Sequence, residues 1–220
     1  MDVARCLIEY ETDIRSFNCA LYEAVVGCQV EVAVLLLKNG ADFYTSVPET
    51  SRNPWIFACR RNSSNIVRLF LEHGADPNAV DAKGESPIKV ALEHPEVIKA
   101  LLEYGADPDA FFGNGSTAML ELLSHKKAPY PEALTVLLQH GADPNIAHSI
   151  IGETPLIVAA VTLEVDLVKL LLEYGADVTQ VDQEGRSVLD MLGDEKYSEV
   201  CELCTQYIEC NKAGGKPVLK

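Results

Sequence analysis

Residues 101–109 read LLEYGADPD, and the phrase returns with small changes as LLQHGADPN at 137–145 and LLEYGAD at 171–177. Gly-Ala-Asp triplets begin at Gly40, Gly74, Gly105, Gly141 and Gly175, in steps of 34, 31, 36 and 34 residues. A weaker copy, Tyr10-Glu11-Thr12-Asp13, precedes them. A period of this size specifies supersecondary units that bury their apolar faces against one another, not a single conventional core.

The residues within each phrase have separate physical reasons. The run before each triplet (VLLLKN, LFLEH, ALLEY, VLLQH, LLLEY) is strongly apolar and reads as a helix. Glycine takes the left-handed conformation that ends a helix at low cost. Alanine is small enough for neighbouring repeats to close over it. Aspartate accepts backbone N–H bonds in the turn that follows. Pro77, Pro108 and Pro144 then prevent the helix from resuming.

About ten residues further on a second phrase begins, clearest at Thr154-Pro155-Leu156-Ile157-Val158-Ala159-Ala160. Threonine caps the helix, proline suits its first turn and leucine faces the core. Looser copies start at Cys19, Asn53, Ser86, Thr117 and Ser187, and glycine turns (DAKGES, FGNGST, IIGET, DQEGRS) stand before four of the six. Each repeat therefore reads turn, short helix, tight turn, longer helix, Gly-Ala-Asp.

That order resembles the ankyrin repeat, roughly D-x-x-G-x-T-P-L-H-x-A-A and then a second helix ending L-L-x-x-G-A-D. The resemblance covers residues 1–210 in about seven repeats: a partial one at 1–16, others near 17–45, 46–80, 81–110, 111–147 and 148–181, and a C-terminal cap at 182–210. It implies an all-α solenoid of stacked helix-turn-helix repeats joined by hairpin-like turns, whose concave face binds a partner. Tyr22, Ile56, Lys89, Leu120, Ile157 and Asp190 stand where the family has histidine, so the hydrogen bond of that side chain must be replaced or absent. The resemblance also implies that asparagines such as Asn78 and Asn145 can be hydroxylated, although proline precedes each where valine or isoleucine is usual. The last helix, about Tyr197–Cys210, leaves Glu199, Glu202, Gln206 and Glu209 for solvent, as a terminal cap requires. The segment 211–220, with Gly-Gly, proline and three lysines, reads as a disordered tail.

Composition narrows the function. The 220 residues carry 33 acids against 18 bases, a formal charge of −15, which opposes binding to nucleic acid or anionic lipid. A mean hydropathy of +0.05 and apolar runs no longer than AVLLL and LIVAAV give no membrane insertion. Seven cysteines without a secretory signal suit reduced thiols in the cytoplasm or nucleus.

The chemistry that enzymes need is not written here. Cys201-x-x-Cys204 followed by Cys210 lacks a fourth zinc ligand nearby, and the pair lies inside a helix, so it reads as packing. Gly113-Asn114-Gly115 has neither the lysine nor the spacing of a phosphate loop. His73 and His140 take equivalent helix-end positions, where a positive charge is favourable. The expectation is no catalysis, no cofactor and no metal.

Partner contacts are expected at turn tips and on short helices, where residue types change between copies. Phe43, Tyr44, Phe111, Phe112, Ile150 and Ile151 read as exposed apolar anchors. Arg52, Arg60 and Arg61 form a basic spot suited to a carboxylate, and Lys83, Glu85, Glu93, His94, Asn114, His125 and Glu153 complete the face. The partner is another protein, as an extended peptide or a folded domain, and the chain is expected to be monomeric on its own. A recognition domain excised from a larger enzyme or channel, or a pathogen effector engaging a host protein, remains an alternative.

Overall fold

The computed structural model describes residues 14–46, 53–124, 130–192 and 197–212. It forms two compact units, Met1–Asp107 and Pro108–Lys220. In the first, α1 (Ile14–Val26) pairs with α2 (Val30–Lys38), α3 (Pro54–Arg60) with α4 (Ser64–Glu72), and α5 (Pro87–Val90) with α6 (Pro95–Glu103). In the second, α7 (Ala118–Ser124) pairs with α8 (Tyr130–Gln139), α9 (Pro155–Val161) with α10 (Val165–Glu173), and α11 (Val188–Met191) is followed by α12 (Ser198–Lys212). Within each unit short helix packs on short helix and long on long, for example α3 on α5 and α4 on α6. The chain is all-α, built of stacked helix-turn-helix repeats. The described residues include one isolated antiparallel bridge, Val181 with Ser187.

Each long helix ends in the same way. Gly40, Gly74, Gly105, Gly141 and Gly175 all have φ near +88° or +89°. The glycine N–H reaches back to the second-last helical carbonyl and the alanine N–H to the one before it, as in Gly175 to Leu172 (3.0 Å) and Ala176 to Leu171 (2.9 Å). This double closure satisfies carbonyls that would otherwise be orphaned. The alanines (41, 75, 106, 142 and 176) are buried, which explains why nothing larger is used.

The aspartate that follows works in two directions. Its carboxylate accepts the N–H two residues on: Asp76 from Asn78 and Asp143 from Asn145 at 2.9 Å, Asp177 from Thr179 at 2.8 Å. Its own N–H is given to a side chain, which belongs to the preceding repeat for Asp76, Asp107, Asp143 and Asp177 and to the same repeat for Asp42. Asp107 donates to Asn78 Oδ1 (2.8 Å) and Asp177 to Asn145 Oδ1 (2.7 Å), while Nδ2 of each asparagine donates to the carbonyl of Gly105 (3.1 Å) or Gly175 (3.2 Å). Elsewhere Asn18 Oδ1 accepts from Asp42 (2.7 Å), the Tyr44 hydroxyl from Asp76 (2.6 Å), and the Asp109 carboxylate from Asp143 (3.1 Å).

The short helices are capped as their sequences specify. Asn53, Ser86, Thr154 and Ser187 accept from the N–H of Ile56, Lys89, Ile157 and Asp190, and Thr117 Oγ1 accepts from Leu120 at 3.4 Å. The residue in the family's histidine position thus contributes its backbone N–H. Asp190 adds a side-chain bond, completing a capping box with Ser187.

Two expectations need correction. Cys19 does not begin a helix, because α1 already runs from Ile14 and carries the 16/17 boundary within it. The final helix also continues to Lys212, two residues into the stretch read as tail. The α12 pattern itself is as expected: Val200, Leu203, Cys204 and Tyr207 are buried, and Glu199, Glu202, Gln206 and Glu209 are exposed.

Replacing Asn145 by alanine removes both amide bonds to the following turn and leaves two backbone groups to water. Unfolding free energy should fall by about 1 to 2 kcal/mol, read from urea denaturation, whereas Asn145→Asp, which keeps the acceptor, should lose less.

Candidate surface for partner recognition

The turn tips before the short helices carry the residues that differ most between repeats. At 81–85 the Asp81 carboxylate accepts from the N–H of Lys83 (2.8 Å) and Glu85 (2.9 Å), closing the loop around Gly84. Asp182 does the same for Glu184 and Arg186, both at 2.9 Å. Phe112 occupies this inward position in its own tip and is 7 % exposed. Phenylalanine offers no acceptor there, so Asn114 Oδ1 takes the Ser116 N–H instead (3.2 Å). The pairing of Phe111 and Phe112 as exposed anchors is therefore corrected: Phe111 is 54 % exposed, and Phe112 is core.

Phe43 is corrected likewise. It is half-buried, its ring stacked on Phe70 at 5.2 Å and edge-on to Tyr44 at 4.7 Å. Tyr44 is exposed but spends its hydroxyl on Asp76 N–H. Ile150 and Ile151 are 61 % and 47 % exposed. They stand at the apex of a tip one residue longer than its neighbours, and are not in register with Phe111. Val80 and Val181, also exposed, hold the Phe111 position in other repeats.

The long tip is fixed to the tips beside it. Ser149 N–H donates to Gly115 O at 2.8 Å, and Gln183 Nε2 donates to the Ile150 carbonyl. A Cβ on Gly115 would come within 2.4 Å of Ser149 Oγ and 3.0 Å of Ile150, and one on Gly152 within 2.8 Å of the Gln183 backbone. These two glycines let the tips approach as closely as they do.

In the first unit Arg60 is paired with Glu85 at 2.5 Å, and its carbonyl accepts from His94 Nε2 at 3.0 Å. The Arg61 guanidinium lies 5.9 Å from the Phe57 ring centroid, and Lys83 is exposed. Glu93 is exposed, His94 and Glu153 are half-buried, and Asn114 Nδ2 is 2.6 Å from Glu121 Oε1. Arg52 and His125 lie outside the described residues. A cleft of about 160 Å³ is lined by Asn53, Ile56, Phe57, Arg60, Asp81, Lys83 and Glu85. That is well below the roughly 300–1,000 Å³ of a small-molecule site, so shallow contacts are what this surface offers.

Other chemistry is sparse. No group of three or more His, Cys, Asp or Glu side chains converges as a metal site among the described residues. Burial, and then Cys201 beside it, pushes the Cys204 thiol up to about 11, and burial carries Cys59 further above the usual thiol range. Neither is a nucleophile at neutral pH. His73 and His140 place Nδ1 2.8 Å from the carbonyls of Leu69 and Val136, four residues back, which accounts for their helix-end positions.

These repeats define the class. The chain belongs to the ankyrin-repeat family: a family model of ankyrin repeats in three copies matches residues 45–111 and 114–213. It is 39% identical over 84 residues to the mouse B-cell lymphoma 3 protein homolog, covering 37% of this chain and 18% of that protein. Over 84 residues it is 37% identical to the Drosophila melanogaster transient receptor potential channel pyrexia, covering 36% of this chain and 8% of the channel. The chain thus spans less than a fifth of either relative. The crystal structure of the ankyrin repeat domain of Bcl-3 superposes with a TM-score of 0.74 at 25% identity, over 86% of this chain and 85% of that one. The ankyrin repeat protein EF0377 gives 0.71 at 25% identity, over 86% and 98%. Ankyrin repeats are generally protein–protein interaction modules.

Three aspartates make the fold sensitive to acid. Backbone bonding from Arg186, with the Arg186 guanidinium and the Glu184 N–H, holds the Asp182 carboxyl below its ordinary 3.8, although its desolvation acts the other way. Thr179 does this for Asp177, and Ser187 for Asp190. Since the unfolded chain binds these protons more readily, their stabilisation is present above about pH 4 and is lost as pH falls through the lower folded-state values. Thermal melts should show this loss below about pH 4, and Asp182→Asn should flatten it.

Proposed function

We propose that this chain is a non-catalytic recognition module that holds a partner protein on the surface of its turn tips and short helices, the partner presenting an extended peptide or the face of a folded domain. One observation carries the reading. The hydrogen bonds that build each repeat recur from copy to copy, while chemically different side chains occupy the equivalent exposed slots. Val80, Phe111 and Val181 share a slot, and Lys83, Asn114 and Glu184 share the next but two. Apolar residues at these slots exceed what solubility requires, as interface anchors do.

The six described cysteines are free thiols, which supports a reducing compartment, cytoplasm or nucleus. No helix among the described residues is long and apolar enough to cross a membrane. A second reading, that this array is the recognition arm of a larger protein, draws on the small share of its relatives that it matches, 8% in the case of the channel.

Immobilised wild-type chain should retain at least one protein from lysate. Its affinity for the purified protein should then fall about tenfold or more with Ile150→Ser/Ile151→Ser or Arg61→Glu/Lys83→Glu. Lys99→Glu, on the exposed side of α6, should leave it unchanged. Equal affinity for all three variants would move the binding surface to the long helices.

A further inference from the structure

The tip and short-helix segments, built on the same backbone frame, differ in net charge between the two compact units. In the first, the tip and short-helix segments 53–61 and 81–93 hold Arg60, Arg61, Lys83 and Lys89 against Asp81, Glu85 and Glu93, a net of +1. In the second, segments 111–124, 147–162 and 181–192 hold Glu121, Glu153, Asp182, Glu184 and Asp190 against Arg186 alone, a net of −4. Arg186 is itself committed, 2.7 Å from Asp182 and 2.8 Å from Glu184. The Glu184 side chain is nevertheless 70% exposed.

The same segments carry the apolar side chains Phe111, Ile150, Ile151 and Val181, which solvent reaches. The tips that present them are tied by the Ser149–Gly115 and Gln183–Ile150 bonds, so little backbone ordering remains to be done on binding. Apolar side chains on fixed tips select an apolar anchor, and the carboxylates on the same segments attract cations and repel acidic segments.

We propose that the front face of the second compact unit, meaning its surface of turn tips and short helices, takes a protein segment in which a large apolar side chain is flanked by lysine or arginine. The inference rests on the front-face reading above and adds the partner's chemistry. An acidic segment and a second copy of this chain, whose formal charge is −15, are both disfavoured by the same field.

The test uses the full chain and short fluorescein-labelled peptides read by fluorescence anisotropy. One peptide has leucine and phenylalanine flanked by lysine and arginine, a second the same apolar residues flanked by glutamate, and a third the same cations with serine replacing the apolar residues. The first should bind, weaken as salt rises, and exceed each of the others by about tenfold or more. Ile150→Ser/Ile151→Ser and Glu153→Lys/Glu184→Lys should each reduce it about tenfold, with melting curves confirming that both variants fold. Lys99→Glu, on the exposed side of α6, should leave it unchanged.

Stronger binding of the glutamate peptide, or no binding of the first, overturns the proposal and leaves the front-face reading to its own capture experiment. Binding abolished only by Arg61→Glu/Lys83→Glu keeps the front face and also overturns this chemistry. Binding that survives every front variant removes both. Concentration-dependent self-association lost with Ile150→Ser/Ile151→Ser would make a second copy the occupant and equally overturn the proposal.

Discussion

The fold depends on one transfer: from Asp76 onward, the aspartate N–H that follows each long helix is given to the preceding repeat. A helix pair of this length cannot bury its apolar face alone, so the repeats must be held in register as they stack. Apolar packing supplies most of the driving force and is indifferent to small slips. The Asp107 N–H to Asn78, Asp177 N–H to Asn145 and Asp76 N–H to the Tyr44 hydroxyl are not. Each closes only if the glycine before it is left-handed and the alanine between them is buried. Glycine, alanine and aspartate therefore recur together because each makes the next one's contact possible.

Much of this was legible from residues alone. The glycines had to sit at helix ends because only there does a left-handed residue satisfy two orphan carbonyls, and the caps at Asn53, Ser86, Thr154 and Ser187 follow from side chains that bond backbone three residues on. The start of α1 was less legible. Asn18, which resembles a cap residue, lies inside the helix and is used as an acceptor for Asp42. The bridging role of Asn78 and Asn145 was also hidden, because a turn asparagine bonding its own loop and one bonding the next repeat have the same sequence.

The recognition surface was legible only in part, for a reason that Phe112 makes plain. Adjacent residues in a turn point to opposite sides, and the side is set by register against Asp81 and Asp182 rather than by composition. Placed in that register, Phe112 takes the inward position and Phe111 the outward one. Phe43 follows the same logic: its ring has Phe70 to stack on, a partner about one repeat away that no local pattern announces. For Arg60 the missing information was Glu85, 25 residues on and within 2.5 Å.

The residues that hold the repeats together and those that would meet a partner are thus separated by direction within the same short turn. Inward positions are nearly fixed by the need to close the loop, and a change there must be compensated nearby, as Asn114 compensates for Phe112 by accepting from Ser116. Outward side chains that take no part in this closure carry no such constraint, so Lys83 and Glu184 can differ in sign without disturbing the frame. The extra residue in the tip at 148–153 extends this freedom. It carries two isoleucines outward, while the loop is still closed by the Gly152 N–H on the His148 carbonyl at 2.8 Å and the His148 N–H on the Glu153 carbonyl at 2.9 Å. Because the closure is made by backbone, the apex can change composition without loss of shape. That is the property a surface needs if binding specificity is to vary while the fold does not.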